Sequence, residues 1–221
     1  TLSIATTHTQ ARYFLPRPVA QLRQRYPKVQ VVLHQGMPEQ VAQMLLDDVA
    51  EIGLATEALG AHPGLITLPC YEWQHVLVVP AGHSLAGVER PTLEQLAAHT
   101  LVLYHRTVTG RTRIDEAFSR ARLEPVVALE AIDSDVIKTY VRLGLGVGIV
   151  AEQAMSGEPA DADLAWRPLG HLFGANVARL AFKRGAYLRQ FVQAFAELLS
   201  PRLSPPLLAQ AMGDLGSDYQ L

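Results

Sequence analysis

Apolar positions along this chain repeat with a period of two, then about 3.6, then two again, the pattern of strands alternating with helices. Leu2-Ser3-Ile4-Ala5 alternates as a first strand. A helical pattern begins near Ala11, passes Pro16 and Pro18 with Val19, Leu22 and Tyr26 on one face, and stops at Pro27. Val29, Val31 and Leu33 alternate as a second strand ending at Gly36. Pro38 opens a helix with Val41, Met44 and Leu45 on one side. Residues 51–55 form a short apolar strand, with Thr56 at its carboxyl end. This stretch reads β-α-β-α-β, a compact parallel-sheet unit.

Pro69-Cys70-Tyr71-Glu72-Trp73 reads as a crossing segment into a second unit of similar plan. There, strands are predicted at 76–79 (stopped by Pro80), 101–104, 126–131 and 147–150. Helices are predicted at Thr92-Leu93-Glu94-Gln95 with Thr92 as cap, around Ile114, Ala117, Phe118 and Ala121, and from Ser134 through Ile137, Tyr140 and Val141 to a stop at Gly144. Residues 164–169 and 177–183 are strand-like, and a helix from about Ala186 turns Phe191, Ala194, Phe195 and Leu198 inward. Beyond Ser200 a short helix and a loose tail are expected. Two α/β lobes of similar plan commonly hold a ligand between them.

At 221 residues the chain fits one large or two small domains with a proper core. A net charge of -2 gives no electrostatic case for nucleic-acid binding by this segment. Cys70 is the only cysteine, so no disulfide forms within the chain and a reducing compartment, the cytoplasm, is expected. No apolar run reaches membrane-spanning length, and no membrane partner is expected. Thr1 starts directly in a strand, without Met or a signal peptide, as a fragment or processed form would.

Two glycine-bearing motifs read as architecture. Gly82-His83-Ser84-Leu85-Ala86-Gly87 has Ala86 where a hydrolase nucleophile elbow needs Gly, and Pro80 stops the strand short of the turn, so Ser84 reads as part of a polar loop and no catalytic residue is assigned. Gly144-Leu145-Gly146-Val147-Gly148 follows a helix and enters a strand, the reverse of a dinucleotide-binding fingerprint, so it reads as a tight turn with close packing and no cofactor. The eight histidines show no metal-ligand spacing, and no metal site is assigned. Asp133 and Asp135 flank Ser134 at a helix start, where acids favour the dipole, and Lys138 three residues after Asp135 reads as half of a surface ion pair.

The loops that follow strands are different. Thr6-Thr7-His8-Thr9-Gln10 crowds neutral donors where a strand feeds a helix N-terminus, whose outward N–H groups and positive dipole end favour anions. Thr56 ends another strand, and Thr107-Val108-Thr109-Gly110-Arg111 lies between a strand and a helix start. Singly, each threonine reads as a cap or turn residue, Thr9 as an N-cap. Ligands of open parallel sheets bind outside the carboxyl ends of the strands, so together these loops favour a small oxyanion or carboxylate.

The chain also resembles a known family. Ala5-Thr6-Thr7-His8-Thr9-Gln10-Ala11-Arg12-Tyr13, Ala55-Thr56-Glu57-Ala58-Leu59, Leu68-Pro69-Cys70-Tyr71, the run from Asp135 to Gly148, and Phe182-Lys183-Arg184 are similar to the inducer-binding domain of LysR-type transcriptional regulators, within them the CysB/Cbl subgroup. The resemblance runs to about Leu199. It implies two Rossmann-like lobes joined by two crossover strands, a periplasmic-binding-protein type II-like fold, with lobe I over 1–70 plus 172–221 and lobe II over 71–171. The family's winged helix-turn-helix does not occur in this chain, so DNA is a partner only through that missing domain.

For function, the resemblance implies regulation of sulfur assimilation and cysteine biosynthesis. The expected effectors are sulfate, thiosulfate or O-/N-acetylserine in the inter-lobe cleft, held by Thr7, Thr9, Gln10, Thr56, Thr109 and Trp73. It further implies regulatory domains that pair as dimers, within a tetrameric full protein. The chain departs from the subgroup at His105-Arg106-Thr107-Val108, where Arg106 is expected to bring a cation near the cleft mouth. An oxyanion solute-binding protein of the same architecture is the alternative, to be decided by what precedes this segment: a secretion signal or a helix-turn-helix.

Overall fold

Strands and helices alternate as the periodicity requires, in a computed structural model that describes residues 1–56, 59–60, 62–108, 110–155, 157 and 159–213. The chain divides into two units, Thr1–Tyr71 with Val177–Leu221 and Glu72–Asn176.

Unit 1 is built on β1 (Leu2–Thr6), β2 (Val31–Gln35), β3 (Ile52–Ala55) and β9 (Ala175–Lys183). Their order is β2-β1-β3-β9, with β1 parallel to both neighbours, Leu2 opposite Val31 and Ile4 opposite Ile52. The returning β9 is antiparallel to β3. One face of this sheet (Leu2, Ile4, Ile52, Leu54, Leu180 and Phe182) meets Leu22 of α1 (Pro16–Arg25) and Val192, Phe195 and Leu199 of α7 (Gln190–Leu199). The other, smaller-residue face (Ala5, Ala55, Ala181) receives Val41, Ala42 and Leu45 of α2 (Pro38–Leu46). Burial on both faces explains why β3 is continuously apolar, whereas edge strand β2 is only partly covered. In the tail, α8 (Pro205–Gly213) adds Leu208 to the first core.

Unit 2 is built on β4 (Leu65–Pro80), β5 (Leu101–Tyr104), β6 (Val127–Ala131), β7 (Val147–Ala151) and β8 (Leu164–Pro168). Here β4 runs antiparallel to both β7 and β8, while β5 runs parallel to β7 and β6. Leu77, Val79, Leu101, Leu103, Val147 and Ile149 bury one face against Leu96 of α3 (Leu93–Ala97), Ile114 and Phe118 of α4 (Arg111–Arg120), and Phe173 of α6 (Gly170–Phe173). The opposite face receives α5 (Ser134–Arg142), and Gly148 is what lets it close: a Cβ there would lie 2.8 Å from Val141 and 3.1 Å from Ile137.

Several local expectations change. The crossing segment at 69–73 and the strand at 76–79 are one sixteen-residue strand, because Pro69 occupies a strand position without ending the strand. The helix expected from Ala186 begins at Gln190, with Arg189 still extended as its N-cap. Lys138 is not on the surface: its ammonium lies 2.8 Å from Asp161, 3.0 Å from the Ala154 carbonyl and 3.4 Å from Asp135, with the Lys138 and Asp161 side chains almost wholly buried. Arg142 also bonds Asp161 at 2.6 Å and Asp163 at 3.0 Å, so this network fastens α5 to the 159–163 turn. Thr92 and Gln95 cap α3 reciprocally, as its sequence predicts.

Candidate functional site

In unit 1 the predicted donors gather at one end of two neighbouring strands. Because β1 and β3 are parallel, with Thr6 opposite Leu54, Thr7 and Thr56 leave the sheet side by side at its carboxyl edge. The Thr6 hydroxyl donates to the Leu54 carbonyl at 2.9 Å and is spent on holding that edge. Helical backbone starts immediately after Thr7, earlier than expected, and the first N–H to bond back is that of Ala11, onto the Thr7 carbonyl at 3.0 Å. The N–H groups of His8, Thr9 and Gln10 therefore precede the first intrahelical bond, at the positive end of the helix.

Thr9 is not an N-cap: its backbone is already helical (φ -57°, ψ -41°) and its hydroxyl makes no capping bond. The turn Gln10–Phe14 is π-helical, closed by the Leu15 N–H on the Gln10 carbonyl at 2.9 Å, a widened turn frequent at functional sites. Gln10 is buried, and its side-chain oxygen accepts from the Tyr71 hydroxyl, whose ring stacks on Phe14 at 4.1 Å. That fixed oxygen leaves the carboxamide N–H groups as the donor half of the side chain. Thr56 is 3% exposed, and its hydroxyl has no hydrogen-bond partner among the described residues. Such an orphan costs about 1–3 kcal/mol unless something absent from the bare chain meets it.

In unit 2 the loop at 105–110 runs from β5 into α4, whose N-cap is Gly110, so no side chain caps the first turn. Thr109 lies outside the described residues. His105 Nδ1 meets the Thr107 hydroxyl at 2.9 Å. Arg111, though buried, is spent on structure, its guanidinium 2.8 Å from Glu130 and 2.8 Å from Asp115. Arg106 is 76% exposed and stands 4.0 Å from Glu130, a solvated cation at the surface.

Trp73 is buried on β4, and its indole N–H has no partner among the described residues. Two positions on, and so on the same strand face, His75 is wholly buried with neither ring nitrogen partnered among the described residues. Burial, reinforced by the charge of Arg113, lowers its pKa to about 3, so the imidazole is neutral. Asn176 is likewise buried with both ends of its amide unmet among the described residues. His75 and Asn176 were not anticipated. A period-two reading from Trp73 points to His75; no local signal marks Asn176.

Both glycine motifs have structural roles. His83 Nδ1 accepts from the Leu85 N–H, which opens a short 3₁₀ turn over Ser84–Gly87, not a nucleophile elbow. Gly144 takes φ +77° after α5, and a Cβ on Gly146 would lie 2.4 Å from the Thr100 carbonyl oxygen. Asp133 caps α5 through the Val136 N–H at 2.9 Å.

Two α/β units, one of them with neutral donors at the carboxyl edge of β1 and β3, suit a small-molecule sensor or carrier, and similarity to known proteins decides between them. Residues 1–204 match the LysR substrate binding domain, and the chain belongs to that family. It is 49% identical over 220 residues to the HTH-type transcriptional regulator CysB of Burkholderia cenocepacia, across 100% of this chain and 70% of that protein. To the HTH-type transcriptional regulator SsuR of the same species it is 46% identical, across 94% of this chain and 67% of that protein. Its structure matches the crystal structure of the cofactor-binding domain of the Cbl transcriptional regulator with a TM-score of 0.89 at 45% identity, covering 96% of this chain and 92% of that one. The α/β fold is that of LysR effector-binding domains, and the relatives are transcriptional regulators, neither enzymes nor solute-binding proteins. No helix among the described residues is long and apolar enough to cross a membrane.

Proposed function

We propose that this chain senses a small oxyanion, sulfate or thiosulfate, or an acetylserine (O- or N-), for a cytoplasmic regulator of sulfur assimilation and cysteine biosynthesis. The binding residues in this reading are Thr7, Thr9, Gln10, Thr56, Thr109 and Trp73. The observation that carries it is the Thr56 hydroxyl, buried without a partner among the described residues at the carboxyl edge shared by β1 and β3, beside a helix start. Hydroxyls, an amide, an indole N–H and backbone N–H groups share one property: they donate without bringing charge. A fully ionised oxyanion, which only accepts, suits such a set. The likeness to CysB, SsuR and Cbl supports the sulfur assignment.

The ligand acts by population shift, binding one arrangement of the regulator better than another. A tenfold preference supplies about 1.4 kcal/mol per site. DNA is contacted by a separate winged helix-turn-helix of the longer protein. Copies of this domain associate, a role for which α5 and its C-cap present an apolar stripe of Val136, Tyr140 and Leu143 at helical spacing, Leu143 being 75% exposed.

Calorimetric titration with sulfate, thiosulfate, O-acetylserine and N-acetylserine tests the reading. Saturable binding of at least one, weakened tenfold or more in Thr7→Val, is the expected result. Heat from none of the four with a folded sample overturns it.

A further inference from the structure

We infer that Tyr71 is a positioning residue that sets the specificity of the proposed effector site, by holding the Gln10 carboxamide so that its N–H groups, not its oxygen, face the ligand. Held this way, the site prefers sulfate, which carries no proton, to dibasic phosphate, which carries one. The inference rests on the oxyanion reading above and lies wholly within unit 1. Tyr71 stands on β4, 61 residues from Gln10 in sequence, and grips the first helical turn at two points. Its hydroxyl donates to Gln10 Oε1, and its ring stacks on Phe14 with centroids 4.1 Å apart and planes 26° apart. Gln10 and Phe14 open and close the π-helical turn Gln10–Phe14, share its face, and so meet Tyr71 together. Gln10 is 3% exposed, so packing as well as the hydroxyl holds its amide. The amide nitrogen has no partner among the described residues.

An amide has a donor end and an acceptor end of similar shape, and the end that faces a ligand decides what it recognises. With its oxygen spent on Tyr71, Gln10 offers only N–H. Sulfate accepts at all four oxygens and suits it. Dibasic phosphate matches sulfate in shape and charge, but its proton needs an acceptor, and burying that proton unmet is costly. Threonine hydroxyls adapt to either anion by rotating, whereas a clamped amide does not. The Tyr71 grip is therefore where the two dianions are told apart.

Calorimetric titration with sulfate and with phosphate tests this, at a mildly alkaline pH where both are dianions. Tyr71→Phe keeps the ring and its stack and removes only the hydroxyl, which frees the amide to turn its oxygen to the ligand. The parent is expected to prefer sulfate by about tenfold or more, and Tyr71→Phe to cut that preference about fivefold, with sulfate weakened and phosphate not. In a Gln10→Met background, with no amide to orient, Tyr71→Phe is expected to leave the ratio unchanged. A second readout needs only the parent: the Gln10 side-chain ¹⁵NH₂ signal, assigned by its loss in Gln10→Met, is expected to move along the sulfate saturation curve. If Thr7→Val weakens sulfate while Tyr71→Phe keeps the parent's ratio, whether both affinities drop or neither does, the tyrosine is structural and this inference falls alone. It also falls alone if the parent shows no sulfate preference or the Gln10 signal stays still at saturation. If the parent binds none of sulfate, thiosulfate and the two acetylserines, both readings fall together.

Discussion

The buried imidazole of His75 makes the stability of this protein sensitive to acid in a calculable way. Its folded pKa is lowered to about 3 from an ordinary value of 6.5, chiefly by burial and secondarily by Arg113. Between those values the unfolded chain binds a proton that the folded chain refuses, so stability rises with pH there and is lost as pH falls below 6.5. The slope approaches about 1.4 kcal/mol per pH unit, and the loss between pH 7.5 and pH 5 comes to ~2 kcal/mol.

Urea unfolding of the Trp166→Phe protein, followed by the fluorescence of Trp73 beside the imidazole, measures this directly. The comparison is with the same protein carrying His75→Asn, whose side chain does not titrate. His83, also held below its ordinary pKa by partial burial and by His99, is common to both proteins and cancels in the difference. The parent is expected to lose ~2 kcal/mol more than the variant at pH 5, with equal m-values. Equal pH dependence in the two proteins would show that His75 is not held neutral and would refute the reasoning.

Other perturbations follow from the same geometry. Lys138→Met leaves Asp161 buried with only Arg142 against it and is expected to cost about 2–4 kcal/mol in urea unfolding, part of which the double variant with Asp161→Leu recovers. Gly146→Ala forces a methyl to within 2.4 Å of the Thr100 carbonyl oxygen, backbone against backbone. A loss of about 1–3 kcal/mol, read as a lower melting temperature, is expected. Arg106→Ala removes an exposed guanidinium already facing Glu130, and calorimetry is expected to find sulfate affinity within about twofold of the parent.

Much of this architecture is legible from local pattern. Alternation in Leu2-Ser3-Ile4-Ala5, the prolines around α1 and α2, and the apolar run at β3 each announce their element, because burial by adjacent helices imposes the pattern. What local pattern misses depends on distant partners. Lys138 looks like half of an i,i+3 surface pair until the chain brings Asp161, twenty-three residues on, beneath it. The full length of β4 is hidden because Pro69, a normal strand breaker, lies within it. At the candidate site, residue type and position after a strand single out Thr7, Gln10 and Thr56. That the Thr56 hydroxyl is buried and unmet among the described residues, that Gln10 is held by Tyr71, and that His75 joins Trp73 are properties of packing.

The central claim, that the neutral donors at the β1 and β3 edge, among them the Thr56 hydroxyl with no partner among the described residues, serve an oxyanion, is tested most directly by Thr56→Val, read in two ways on one sample. Replacing an unmet buried hydroxyl with a methyl of the same shape is expected to leave the ligand-free protein unchanged or more stable, by up to about 1 kcal/mol. In the same variant sulfate affinity is expected to fall at least tenfold. A variant that is less stable without ligand, yet binds sulfate as the parent does, would show that the hydroxyl serves the fold and contradict the account.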